Sequence, residues 1–248
     1  VENVSLMPWL CLTALFHTVI VLEKRNLLRS WTLILSIATF TFSMVGTFLV
    51  RSGILNSVHT FANDPERGVF ILIFLFSLIF LSIILFFIYQ VNENKIEKNF
   101  FLISKETSIL INNWFMMYFL SVILIGTTYP IFLEVITNEK ISIGPPFFNK
   151  LIIPFLILFL IFMALGPNLK WIKDNYKNIK YSKIILFFVC IFISFYLVKK
   201  TSSEILFTSI LGGAALYLLF TTIKEFLNKK NNFSQTISHF GFSLFVIS

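Results

Sequence analysis

The chain has 248 residues, of which 57% are hydrophobic and only 13% charged, with a mean hydropathy of +0.86. A soluble domain is nearer half apolar and a quarter charged, so a water-soluble globular fold is excluded. The apolar runs are long and lack period-two alternation, which excludes a β-barrel and leaves an all-α polytopic membrane helix bundle.

About eight spans are predicted, over 4–22, 30–50, 68–91, 109–133, 151–169, 184–198, 205–223 and from 233 onward, the last one truncated. Val1 is not an initiator Met and the final residues fall in an apolar run, so the sequence reads as a segment of a longer protein. The first run lacks the basic flank and small-residue cleavage site of a signal peptide. All 20 lysines and arginines lie outside the spans, 14 of them in the first, third, fifth and seventh connections. By the positive-inside bias, those connections are cytoplasmic, and the amino end and the 51–67 connection are periplasmic. The net charge of +8 then belongs to loops facing anionic lipid, not to a nucleic-acid site.

In the first span, His17 lies five residues, about 8 Å, from the inner end. In the eighth, His239 lies six residues, about 9 Å, from the same face. Two neutral imidazoles at one depth suit the two axial positions of a haem iron, with Thr13 and Ser243 one turn away as supporting groups. A neutral histidine bonded to its own helix is the alternative. No Asp, Glu, Lys or Arg lies inside a predicted span.

Between the second and third spans, Arg51 to Arg67 is a polar interruption holding His59. Its arginines suit either carboxylates, such as haem propionates, or lipid headgroups. Asp64 and Pro65 read as a helix start. Trp9, Trp31, Trp114 and Trp171 sit near span ends, as an aromatic belt does. Pro130, Pro154 and Pro167 are expected to cap or kink helices near span ends, and Ser142 to Asn149, with Pro145 and Pro146, to form a rigid extended turn. Cys11 and Cys190 are far apart in apolar runs and read as buried hydrophobes.

The runs Val1 to Leu10, Thr13 to His17, Gly46 to Gly53 and Ser57 to Pro65 resemble the haem lyases of cytochrome c maturation, the CcmF family. Gly126 to Pro130, the Gly144-Pro145-Pro146 run and Gly166-Pro167 resemble its carboxy-terminal half, so the motifs span most of the chain. The resemblance implies that the chain begins just after a tryptophan-rich haem-handling segment, the WWD motif. Residues 1–67 would then end the haem-handling assembly module, and residues 68–248 would form a truncated carboxy-terminal membrane module. It implies that His59 is one of two periplasmic histidines ligating the haem to be attached, the other lying upstream. It implies that His17 and His239 hold a permanent haem b that relays electrons from quinol. The implied partners are apocytochrome c, the haem chaperone CcmE and the thiol-handling subunit CcmH. The implied location is the bacterial inner membrane, or the mitochondrial inner membrane if the gene is organellar. Read without the resemblance, the same residues also admit a proton-coupled secondary transporter, a b-type cytochrome subunit or an assembly scaffold.

Overall fold

The computed structural model describes residues 2–52, 65–89, 101–138, 141–175, 181–198, 205–228 and 233–248. Among these, the regular elements are all helical. They are α1 (Glu2–Arg25), α2 (Arg29–Arg51), α3 (Pro65–Tyr89), α4 (Lys105–Thr137), α5 (Pro145–Leu165), α6 (Tyr181–Val198), α7 (Ile205–Leu227) and α8 (Phe233–Ile247), with a 3₁₀ turn at Gly166–Asn168. Helices α1 to α7 are long and apolar enough to cross a membrane, and α8 is a shorter apolar helix. The protein is therefore a polytopic helical membrane protein, as composition and run length require.

The chain divides into two compact units, Val1–Lys98 with Met116–Phe148, and Asn99–Phe115 with Asn149–Ser248. In the first unit, α1 and α2 form a helical hairpin. Its turn places Asn26 and Leu28 in the left-handed region, at φ 52° and 64°. A leucine there costs roughly 1–2 kcal/mol. Two features offset this cost: Leu27 is buried, and the backbone N–H and hydroxyl of Thr32 both donate to the Leu28 carbonyl at 2.9 Å. At the far end of the hairpin, a Cβ on Gly46 would come within 2.9 Å of Val4, so glycine permits the approach.

The Gly144-Pro145-Pro146 run departs from expectation in an instructive way. Pro145 opens α5 instead of fixing an extended turn, because a missing N–H costs nothing in the first helical turn. Phe147 and Phe148 follow in that turn, edge to face at 5.3 Å, and the Phe148 ring lies where a Cβ on Gly126 would be, at 2.7 Å. Pro130 and Pro154 lie inside α4 and α5 and cap neither, while Pro167 sits in the 3₁₀ turn where α5 ends.

In the second unit, Leu160, Ala164, Cys190, Ala214, Ala215, Tyr217 and Leu218 form the core. Two close approaches shape it. A Cβ on Gly213 would fall 2.6 Å from the Ile191 Cα, so α7 rides directly on the backbone of α6. Phe159 of α5 meets Phe242 of α8 edge to face at 5.8 Å, which fixes α8 one turn beyond His239. Both cysteines are free and buried, as their apolar surroundings suggest.

Candidate functional site

In α1 the fully or nearly buried positions Met7, Leu10, Cys11, Ala14, Thr18 and Val21 recur at helical spacing. His17 lies at the border of this stripe, three residues after Ala14 and four before Val21, and is half-buried. Its Nδ1 is 2.8 Å from the Thr13 carbonyl oxygen. A carbonyl only accepts, so Nδ1 carries the proton and the Nε2 lone pair is left for a ligand. The Thr13 hydroxyl, expected to support His17, instead donates to the Trp9 carbonyl at 2.8 Å. The backbone, not the threonine side chain, sets the tautomer.

His239 lies in α8 of the second unit and is half-buried. Phe242, one turn on, anchors that face of the helix against Phe159. The Ser243 hydroxyl donates to the Phe240 carbonyl at 2.7 Å and is fully buried. Again the expected supporting hydroxyl closes on its own helix.

A haem macrocycle supplies four of its iron's ligands and needs only axial donors from the protein. Among the described residues, no three His, Cys, Asp or Glu side chains gather as a cage for a bare ion. An imidazole with Nδ1 tied to a carbonyl and Nε2 released fits the axial role, and His17 has that form.

His59 lies outside the described residues, as does Asp64. The helix ends that flank them are described. A Cβ on Gly68, at the start of α3, would lie 3.0 Å from the Ser52 Cα, at the end of α2. Arg51 and Arg67 adjoin these two residues, so the two exposed arginines share one end of the first unit.

Sequence reasoning missed a polar knot in the second unit. Helices α4 and α7 run past their predicted spans and carry charged residues with them, and Glu106 and Glu225 are 2% and 7% exposed. The Glu106 carboxylate accepts the Ile172 N–H with both oxygens, at 2.9 and 3.0 Å. This holds Ile172 at φ 72°. Lys105 Nζ donates to the Pro167 carbonyl at 3.4 Å and lies 5.5 Å from the Trp171 ring centre. Asn168 Nδ2 donates to Glu225, whose charge is also within electrostatic range of Lys105. One signal was available. Glu225 sits in the last turn of its helix, where the helix dipole disfavours an anion.

The comparisons with known proteins agree with this architecture. Residues 1–56 match the family described as cytochrome C assembly protein. The chain is 48% identical over 175 residues to the cytochrome c-type biogenesis protein CcmF of Pseudomonas fluorescens, covering 71% of this chain and 26% of that protein. It is 38% identical over 216 residues to CcmF of Escherichia coli K12, covering 86% of this chain and 33% of that one. A solved structure titled Cytochrome c Heme Lyase CcmF superposes with a TM-score of 0.70 at 22% identity, over 99% of this chain and 37% of that one, and so shares the fold. Fold and sequence together define a multi-span helical membrane protein of the cytochrome c assembly class. Within that class, the chain belongs to the CcmF family of cytochrome c-type biogenesis proteins. It spans about a quarter to a third of the length of these curated relatives.

Proposed function

We propose that the protein containing this chain is the haem lyase component of cytochrome c maturation, and that this segment contributes one ligand to an outer haem site and two to an inner one. The observation that carries the reading is the His17 geometry: the ring is bonded to its own helix, as the alternative also expects, but through Nδ1 alone, which leaves Nε2 as the ligating nitrogen within a membrane helix. The family membership supports the pathway assignment.

In this reading His17 and His239 are the axial ligands of a resident haem b, and the Thr13 carbonyl keeps the His17 ring oriented. When bound, that group supplies a one-electron carrier fed from quinol. At the outer end, His59 ligates the haem substrate, paired with a histidine upstream of this chain. Arg51 and Arg67, brought to one end of the first unit, offer guanidinium forks to its propionates. Each thiol of the apocytochrome CxxCH then adds across a vinyl group, its sulfur to one carbon and its hydrogen to the other. The protein's part is positioning. The charge bias of the connections supports the orientation, with the Arg51 end periplasmic in a bacterial inner membrane, or facing the equivalent side if mitochondrial. CcmE as haem donor, CcmH as thiol handler and the module division near residue 67 belong to the same proposal.

The test is holocytochrome c yield in cells whose full-length protein carries His59→Ala. The reading expects yield to collapse while the protein still accumulates in the membrane. Unchanged yield would remove His59 from the chemistry.

A further inference from the structure

Two non-helical segments of the second unit meet at the ends of its spans. Residues 101–105 lead into α4, and residues 170–174 follow the 3₁₀ turn. Two backbone bonds join them into a strap: the Lys105 N–H donates to the Lys170 carbonyl at 2.9 Å, and the Asp174 N–H to the Ile103 carbonyl at 2.8 Å. On this strap Leu102 is 91% exposed and Ile172 46%, and Phe101 is exposed as well. Ile172 stands at φ 72°, a left-handed conformation in which a β-branched residue is an outlier. The Glu106 carboxylate holds it there. The fold thus works against the backbone preference of an isoleucine and leaves its side chain outward, where contact with water would offset none of the strain.

Cations are set into the same patch. Lys170 and Lys173 are exposed, and Lys173 Nζ lies 5.0 Å from the Phe101 ring centre. The neighbouring acids face the backbone: Asp174 accepts the N–H groups of Lys170 at 3.1 Å and Asn175 at 2.8 Å, and Glu106 accepts that of Ile172. Distance decides what the patch meets. The apolar run of α4 begins at Ile109, and Lys105 is four residues, about 6 Å, before it. The headgroup layer of a bilayer extends about 5–8 Å beyond the hydrocarbon on each side. The strap therefore lies at headgroup level, where apolar side chains reach the acyl-chain boundary and ammonium groups reach phosphates. We propose that the strap is an interfacial anchor: Leu102 and Ile172 enter the acyl-chain boundary, and Lys170 and Lys173 bind the phosphates of anionic phospholipid. The anchor stands on the second unit alone, and depends neither on haem nor on which face of the membrane this end occupies.

Fluorescence quenching tests it, in the full-length protein with its other cysteines replaced by Ser and a bimane label on Leu102→Cys. The protein is placed in nanodiscs of phosphatidylcholine and phosphatidylglycerol, which leave both faces open to solvent. Lipids brominated on the acyl chain quench a label that touches them, and iodide quenches a label in water. Leu102→Cys is expected to be quenched by brominated lipid and protected from iodide, as is Phe192→Cys, exposed midway along α6 and the reference for acyl contact. With only one lipid brominated at a time, brominated phosphatidylglycerol is expected to quench about twofold more than brominated phosphatidylcholine at low salt. That preference should vanish when Lys170→Gln and Lys173→Gln are combined, and at about 1 M salt, where the Debye length is about 3 Å. A label quenched by iodide and not by brominated lipid would overturn the anchor, since the strap would then lie in water. A label quenched by neither would overturn it too, since protein would then cover the patch. Equal quenching by the two brominated lipids at low salt would overturn the phosphate contact. If Leu102→Cys does not accumulate, Ile172→Cys carries the same criteria.

Discussion

Gly213 offers a sharp test of how the second unit is built. A Cβ added there would sit 2.6 Å from the Ile191 Cα, 2.7 Å from its Cγ1 and 3.0 Å from its backbone nitrogen. Two of these three atoms are main chain, so no rotamer change relieves the overlap, and α7 must move away from α6. The displaced contact is the one that seats Ala214 and Ala215 in the core. Overpacking of this kind costs about 1–3 kcal/mol, against which alanine regains roughly 0.5–1 kcal/mol of helix propensity. A net loss on the order of 1 kcal/mol, and at most about 2.5 kcal/mol, is expected for Gly213→Ala. Gly241, on α8, is the matched control. Nothing lies within 4 Å of its Cβ position, so Gly241→Ala should leave stability unchanged or raise it by roughly 0.5–1 kcal/mol. Chemical unfolding of the two variants in the same detergent, read by circular dichroism, compares them. Equal stability of the two would refute the account of α6–α7 packing.

Two more outcomes follow from the geometry. Thr13→Val removes a hydroxyl that, among the described residues, bonds only the Trp9 carbonyl, so any haem absorption of the full-length protein should be unchanged; its loss would mean that the hydroxyl, not the backbone, orients His17. Glu106→Gln keeps one acceptor for the Ile172 N–H and loses the charge. About 1–2 kcal/mol of stability should be lost in the same unfolding assay, and no loss would contradict the anchoring role.

Much of the membrane architecture was legible because hydropathy and helix length are the same physical constraint. A chain in lipid satisfies its backbone within each span, so a twenty-residue apolar run is already a helix. Where the predicted spans stop short, at 109 and 223, the runs end at charges, whereas α4 starts at Lys105 and α7 continues to Leu227. Burial of Glu106 and Glu225 depends on partners about 60 residues away, Ile172 and Asn168, and no local window contains them. The Gly144-Pro145-Pro146 run misled for a different reason. Proline disfavours helix interiors and is tolerated in the first turn, so the dipeptide marked a boundary whose helical side was ambiguous. At the candidate site, residue type and depth singled out His17, and a bond to its own helix was the alternative; what the sequence left open was which group one turn back takes the ring, since Thr13 offers both a hydroxyl and a carbonyl. The hydroxyl closes on Trp9, and the imidazole takes the carbonyl.

The central claim is that His17 and His239 ligate a resident haem, and the absorption spectrum of the purified full-length protein tests it most directly. The account expects a reduced b-type spectrum in the unmodified protein. It expects that spectrum to be lost in His17→Ala and in His239→Ala, and retained in Thr13→Val, with the helical circular dichroism of all three unchanged. A protein that carries no haem, or one whose b-type spectrum survives both histidine substitutions, would contradict it.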